Sequence, residues 1–337
     1  MTYQVLITGG AGYVGSHLCV GLHNAGFEPI ILDNFSNSYK DVIDRIYKII
    51  NKEIPVIKGD IRDYDLLDNL FKRYNIKTVI HCAALKSVNE SLSIPIKYYD
   101  NNVAGSINLI KAMQNNNIKS LIFSSTAAVY GNSKIMPLVE DTHRAATNPY
   151  GHTKIMMENV FMDLNISDLS KWKIGILRYF NPIGAHESGF IGENSLKTPS
   201  NIMPNIIQAA KNELKHINIY GDDYDTKDGT CLRDYIHIMD LVDGHIATLH
   251  YLNLNQEKLF IANLGTGKGI SVLELIETFA KVNNIKVPYK ISSRRDGDIA
   301  ICYADPSYAN KVINWHASRS LSDMCKDSWN FSNNSFT

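Results

Sequence analysis

The sequence predicts an α/β protein: a doubly wound parallel sheet with helices on both faces, followed by a smaller C-terminal α/β lobe. Short β-branched runs alternate with longer helix-like stretches through the first half of the chain. The runs are apolar nearly throughout rather than at every second residue, which is the pattern of strands buried on both faces. A glycine-rich segment stands between the first run and the first helical stretch. Strand, helix, strand in repetition means a parallel sheet wound on both sides.

The strand candidates are residues 3–8, 28–32, 54–57, 78–81, 120–124 and 173–178. Between them, 12–25, 64–74, 98–115 and 149–163 read as helices. After about residue 181 the rhythm breaks, and 181–200, rich in Gly, Pro, Ser and Asn, reads as a long loop. A helix at 239–252 and a short strand at 260–263 are expected to rejoin the first sheet. The expected division is therefore residues 1–181, with 235–264 rejoining them, and a lobe of 182–337 at the strand ends, where such folds bind ligands. Residues 330–337 are mostly polar and are expected to fray. Neither an internal repeat nor a low-complexity tract is present.

The 337 residues suffice for two domains, or for one with an appended lobe. Lys plus Arg balances Asp plus Glu at 34 each, so nothing marks a general polyanion binder such as a nucleic-acid protein, and phosphates must be held by local groups. The five cysteines, Cys19, Cys82, Cys231, Cys302 and Cys325, are odd in number and include no Cys-x-x-Cys. That argues against a disulfide framework and against a zinc cluster. The eleven histidines include no His-x-x-x-His pair and read as surface or hydrogen-bonded core residues, so no metal site is expected. The N-terminus lacks a basic leader before a long apolar stretch, and no run of 18 apolar residues occurs. A cytoplasmic, reducing setting is the expectation.

Gly9, Gly12 and Gly15 are spaced three apart, straight after a strand and opening a helix. Glycine there serves the tight turn, the close approach of backbone to a pyrophosphate and the packing of helix on strand. Exposed amides and the helix dipole then favour phosphate. Asp33 ends the next strand roughly 20 residues on, where an acid meets the adenosine ribose hydroxyls. A carboxylate there repels a 2′-phosphate and so favours NAD over NADP. Asp60, at the end of the third strand, is a candidate for the adenine edge, although a turn or cap role fits its spacing nearly as well.

Tyr150 and Lys154 are four apart on a stretch that Asn148 and Pro149 mark as a helix start. At that spacing both side chains share one helix face. A nearby ammonium favours phenolate, and a tyrosine that normally titrates at about 10 needs such help to act as a base near neutrality. Tyr130 and Lys134 share the spacing, but Gly131, Asn132, Ser133 and Pro137 make that stretch a loop. The bland reading of Tyr150 and Lys154 is a solvated helix face. Ser124, Ser125 and Thr126 put hydroxyls at the carboxyl end of a central strand, with caps and turns as their bland reading.

With these elements in place the chain resembles the extended short-chain dehydrogenase/reductase family, a Rossmann-type fold, and within it the UDP-glucose 4-epimerases. The resemblance runs from about residue 3 to about 330. Its matching segments are 8–17, Asp33-Asn34, Gly59-Asp60-Ile61, 81–91, 98–102, 124–131, 150–154, 178–186, 233–237 and 294–298. The most specific stretches are Arg178-Tyr179-Phe180-Asn181-Pro182 and Gly229-Thr230-Cys231-Leu232-Arg233-Asp234-Tyr235.

The resemblance implies that residues 1–181 bind NAD and that the later lobe binds a UDP-sugar. Implied cofactor contacts are Gly9, Gly12, Tyr13, Val14, Gly15, Asp33, Asn34, Asn37, Ser38, Asp60, Ile61, Cys82, Ala83, Ala84, Lys86, Asn101, Ser124, Tyr150, Lys154 and Phe180. Lys86, Thr126, Tyr150, Asn181 and Asn201 would touch the substrate, Asn218 and Tyr220 would flank uracil, and Arg233 and Arg295 would pair with the diphosphate. Asp298 would support that site, and Cys302 would line the pocket beside the sugar. Thr126, Tyr150 and Lys154 would be catalytic.

Two positions depart from the family's habit: Thr126 stands for the usual third serine, and Cys82 for a frequent aromatic. The implied chemistry is loss of the C4 hydroxyl proton to Tyr150 with hydride transfer to NAD, then return of hydride to the other face. Permissive members have a small residue where restricted ones have tyrosine, so Cys302 implies that N-acetylated UDP-hexosamines are accepted too. Sugar-nucleotide 4,6-dehydratases, the main alternative, typically carry Asp-Glu directly after the hydroxyl residue, where this chain has Ala127-Ala128. A non-catalytic nucleotide-sugar-binding protein is a further alternative, opposed by intact Thr126, Tyr150 and Lys154. The resemblance also implies a homodimer through helices 98–115 and 149–163.

Overall fold

The computed structural model describes residues 3–167, 171–194, 196, 201–254, 258–295 and 298–334. The first part alternates β1 (Gln4–Thr8), α1 (Tyr13–Asn24), β2 (Glu28–Asp33), α2 (Val42–Ile50), β3 (Val56–Lys58), α3 (Tyr64–Arg73) and β4 (Ile76–His81). It continues through α4 (Val88–Ser93), α5 (Pro95–Tyr99), α6 (Gly105–Asn115), β5 (Ser120–Thr126), α7 (Pro149–Ile166) and β6 (Lys173–Tyr179). The later elements are β7 (Asn181–Ile183), α8 (Ile202–Ala210), β8 (Ile217–Tyr220), β9 (Leu232–Arg233), β10 (Tyr235–His237), α9 (Ile238–Leu254) and β11 (Leu259–Leu264). Then come β12 (Ile270–Ser271), α10 (Val272–Asn283), β13 (Tyr289–Ser292), β14 (Ile301–Cys302), α11 (Ser307–Ile313) and α12 (Leu321–Asn333).

Seven parallel strands in the order β11-β6-β5-β4-β1-β2-β3 make the central sheet. The order reverses beside β1, and the ligand crevice of such sheets opens at that switch, outside the carboxyl ends of the strands. Two apolar cores cover the faces. One joins Leu18, Leu22, Leu241, Val242 and Leu249 to the sheet; the other joins Leu67, Leu109, Met113, Met157 and Phe161 to it. Gly21 lets α1 and α9 meet, since a Cβ there would lie 2.3 Å from Val242 Cγ1. A third core, around Ile206, Ile219, Leu275, Phe279 and Met324, holds the small sheets β8–β13, β7–β10 and β12–β9–β14 of the later chain.

Four expectations need correction. β3 is not buried on both faces: it is the sheet edge, with Val56 and Lys58 exposed. The helix expected over 98–115 is broken by a wider π-helical turn at Asp100–Ala104, which joins α5 to α6. The loop expected over 181–200 contains β7, paired with β10 through Asn181↔Tyr235; its residues 195 and 197–200 lie outside the described residues. Residues 330–333 complete α12 rather than fray, because Asn330 and Asn334 donate to Glu187 O and Ser188 O. Residues 335–337 lie outside the described residues. Among the described residues no helix is long and apolar enough to cross a membrane.

Candidate active site

A cavity of about 920 Å³ opens over the carboxyl ends of β1, β2, β4, β5 and β6 and continues between them and the later lobe. That volume suits a large ligand or two adjoining ones. Every candidate site residue except Asp60 lines it.

At one end lies the turn from β1 to α1. A Cβ on Gly15 would sit 2.1 Å from Gly9 O and 2.6 Å from Gly10 Cα, so only glycine lets the helix start against the turn. Gly9 has φ +70° and faces Ala83 N, which a Cβ would meet at 2.8 Å. α1 starts at Gly12 without a side-chain cap and has no acid in its first turn. Its first amides and dipole are thus left for an anion from outside. Asp33, at the end of β2, is fastened beside this turn: Ala11 N–H donates to Oδ2 at 3.0 Å, and Phe35 N–H to Oδ1 at 2.8 Å. Burial raises its pKa against the effect of these bonds. The glycine cradle, the uncapped helix start and the acid fit a dinucleotide. Asp60 stands off the lining, where Asn34 donates to it at 2.9 Å and Arg62 pairs with it, holding its carboxyl well below the usual range.

Over the middle of the sheet stand Tyr150 and Lys154 on α7. Asn148 caps the helix by accepting from Gly151 N–H at 2.9 Å, and Pro149 occupies its first turn. The solvated helix face is therefore not what forms: Lys154 is buried. Its Nζ donates to Ser124 O at 2.6 Å and lies 4.6 Å from the Phe123 ring centre and 5.9 Å from that of Tyr150. Burial pulls its pKa down to about 8, against the pull of Cys82 and Glu158. Burial likewise pushes Tyr150 up to about 12, and a hydrogen bond with Thr126 opposes the rise. Without ligands, desolvation thus outweighs the help expected from the lysine. Thr126 combines two roles, for its hydroxyl also accepts from Ala128 N–H at 3.1 Å. Tyr130 is structural instead, donating to Asn263 Oδ1 at 2.6 Å and accepting from Arg178.

Toward the later lobe, Asp298 accepts from Arg295 Nε at 2.9 Å and lies 3.8 Å from Arg233 Nη2, so one acid aims two guanidiniums. Arg295 stacks on Tyr220 at 4.5 Å, with Asn218 on the same strand, β8. Cys302 on β14 is in register with Arg233 on β9 and packs against the core of Val129, Leu138 and Phe180. Burial pushes its thiol up to about 11, so it is a small neutral wall.

Three residues of the site escape sequence reasoning. Glu193 receives Lys86 at 3.0 Å and the Asn201 amide, tying two candidate residues together. Its loop carries no periodic signal. Asn102 bonds both Leu85 backbone groups and donates to Thr153, joining the β4 loop to α7. Glu158, fully buried, stands one turn beyond Lys154, a spacing that did carry a signal.

The family model described as GDP-mannose 4,6 dehydratase matches residues 6–328. The UDP-glucose 4-epimerase of Bacillus subtilis is 47% identical over 325 residues, 96% of this chain and 95% of that protein. That of Haemophilus influenzae is 47% identical over 331 residues, covering 98% and 97%. Among solved structures, the UDP-glucose-4-epimerase of Stenotrophomonas maltophila with bound NAD and formylated UDP-arabinopyranose superposes with a TM-score of 0.95 at 45% identity, covering 98% of this chain and 97% of that one. The Bifidobacterium longum enzyme in complex with NAD+ and UDP gives 0.93 at 45%, covering 98% of each. By near-full-length identity and by fold, this chain belongs to the UDP-glucose 4-epimerases of the extended short-chain dehydrogenase/reductase family.

Proposed function

We propose that the chain interconverts UDP-glucose and UDP-galactose by epimerisation at C4, with NAD as its bound cofactor. The observation that carries this is the placement of Thr126, Tyr150 and Lys154 in one cavity between the glycine turn and the paired arginines. Gly9, Gly12, Gly15 and the start of α1 would hold the NAD pyrophosphate, and Asp33 the adenosine ribose. When bound, NAD supplies the hydride acceptor and a positive charge beside the phenol.

The chain's own groups do the rest. Tyr150 Oη takes the proton of the C4 hydroxyl and returns it, so one group serves as base and then acid. Lys154 holds a positive charge near that phenol, and Thr126 orients it by a hydrogen bond. Arg233 and Arg295 pair with the diphosphate, with Asp298 aiming them. That grip leaves the sugar to rotate and present its other face. Asn181 and Asn201 line the sugar's part of the cavity, and Lys86 joins the two halves through Glu193. Ala127 and Ala128 supply no acid for loss of water, which opposes a dehydratase. Incubation with UDP-galactose and NAD is expected to give UDP-glucose without NAD consumption; a 4-keto-6-deoxy product would sink the proposal.

Three finer readings belong with it. Cys302 leaves room for an acetamido group, so UDP-N-acetylglucosamine and UDP-N-acetylgalactosamine are substrates too. The chain is a homodimer through the segment 98–115, from the end of α5 into α6, and α7; exposed Met156 on α7, with exposed Leu92 on α4 and Ile96 on α5 just before that segment, supports that face. A single-chain mass by light scattering would overturn it. The setting is the cytoplasm, which the five free thiols support.

A further inference from the structure

We propose that Glu158 is a positioning residue for the proton-transfer pair, fixing the carboxyl end of β5 against α7 through Ser125. The claim deepens the epimerase reading and rests on it. Two consecutive residues of β5 are fastened to two residues one turn apart on α7. Ser124 O accepts from Lys154 Nζ at 2.6 Å, and Ser125 Oγ donates to Glu158 Oε1 at 2.5 Å. The next residue of the strand is Thr126, which lines the cavity together with Tyr150 on the same helix. Strand and helix are thus pinned at two points just below the place where their hydroxyls must meet.

Glu158 is itself immobilised. Arg178 on β6 donates Nε to its Oε1 at 3.0 Å and Nη2 to its Oε2 at 2.8 Å, and Arg144 reaches Oε2 at 3.0 Å. A carboxylate with no exposed surface and four such bonds has one geometry. With two guanidiniums facing it, its charge is compensated where it lies. A mechanical role, setting the pitch between Thr126 and Tyr150, therefore outweighs an electrostatic one on Lys154. A misplacement of about 1 Å at reacting groups costs about a hundredfold in rate.

The two roles are separable by mutation. Glu158→Gln leaves both arginines without a carboxylate and is liable not to fold. Glu158→Asp keeps the charge but is one methylene too short to hold Ser125, and Ser125→Ala cuts the same link from the strand side. Both variants, with bound NAD, are expected to lose about ten- to a hundredfold in kcat, with KM for UDP-galactose within about twofold of the parent. In the NAD-free proteins, the ring-carbon NMR shift of labelled Tyr150, assigned with Tyr150→Phe, is expected to move in both, because Thr126 no longer meets the phenol. Parental kcat in either variant, a KM that rises in step with the fall in kcat, or an unmoved Tyr150 signal would overturn the proposal. A parent chain with no turnover would instead sink the epimerase reading, and the Tyr150 signal would still decide the positioning claim.

Discussion

Lys154 keeps an ammonium where almost no water reaches it, and its pKa of about 8 measures the cost. An unfolded lysine titrates at about 10.4, so between those values the unfolded chain binds more protons and stability rises with pH. The folded protein bears the full burial penalty below about pH 8 and sheds it above. In the NAD-free protein, Lys154→Met removes this dependence. Relative to that variant, the parent is expected to gain about 1–2 kcal/mol between pH 8 and 9.5, read by urea unfolding at both values. Equal pH slopes would show that Lys154 is not desolvated. Tyr150→Phe should keep NAD and UDP binding and lose about 10²–10⁴-fold in kcat, the contribution of a general acid–base group. Tyr130→Phe should lower stability instead, since its hydroxyl joins Asn263 to Arg178 inside the core. Collapse of turnover in the Tyr130 variant alone would move the chemistry to the wrong tyrosine. The sequence made Tyr150 and Lys154 legible as a candidate pair through spacing and a helix start, and the family resemblance set that reading above a solvated helix face. It left Glu193 and Asn102 unseen because their partners lie across the chain and no local period points to them.

β14 has two residues, yet it sets a wall of the cavity, on the proposed reading that of the sugar, by putting Cys302 in register with Arg233. The strand is held firmly: Asp234 N–H donates to Cys302 O, and the Asp234 carboxylate accepts from Ala304 N–H and from Thr266 and Gly267 beyond β11. A larger side chain at 302 therefore has little freedom to move aside. Cys302→Tyr is expected to abolish turnover of UDP-N-acetylgalactosamine while largely sparing UDP-galactose. Paired rates on both enzymes decide it, and an N-acetyl activity that survives the tyrosine would remove Cys302 from the gate. Strands of this length were not readable beforehand, since two residues show no periodicity and only their partners define them. The long central strands were, because burial on both faces leaves a continuous apolar run. β3 misled for a related reason: the run 54–57 is as apolar as an inner strand, but the sheet ends there and the strand itself runs on to the exposed Lys58.

The whole molecule is built around the return of the chain to its first sheet. All of β11 pairs with β6, from Leu259↔Ile174 to Leu264↔Tyr179, and α9 lies against α1. The sequence indicated this return through the helical period of 239–252 and one short apolar run. What it hid was the interleaving of later segments, where β7 pairs with β10 and β9 with both β12 and β14.

That return decides where the polypeptide tolerates a cut. A fragment ending at residue 181 would carry β6 with one side bare: seven residues, buried almost throughout in the whole protein, offering unpaired amides and carbonyls. Such a border is a template for the same border of another copy. The fragment is expected to aggregate on refolding, whereas one with 235–264 tethered behind it should stay dispersed, as light scattering on the two would show. A dispersed short fragment would mean that β11 is dispensable as a guard. A split between cofactor and sugar halves, natural as it looks on the linear chain, is one the folded sheet does not permit.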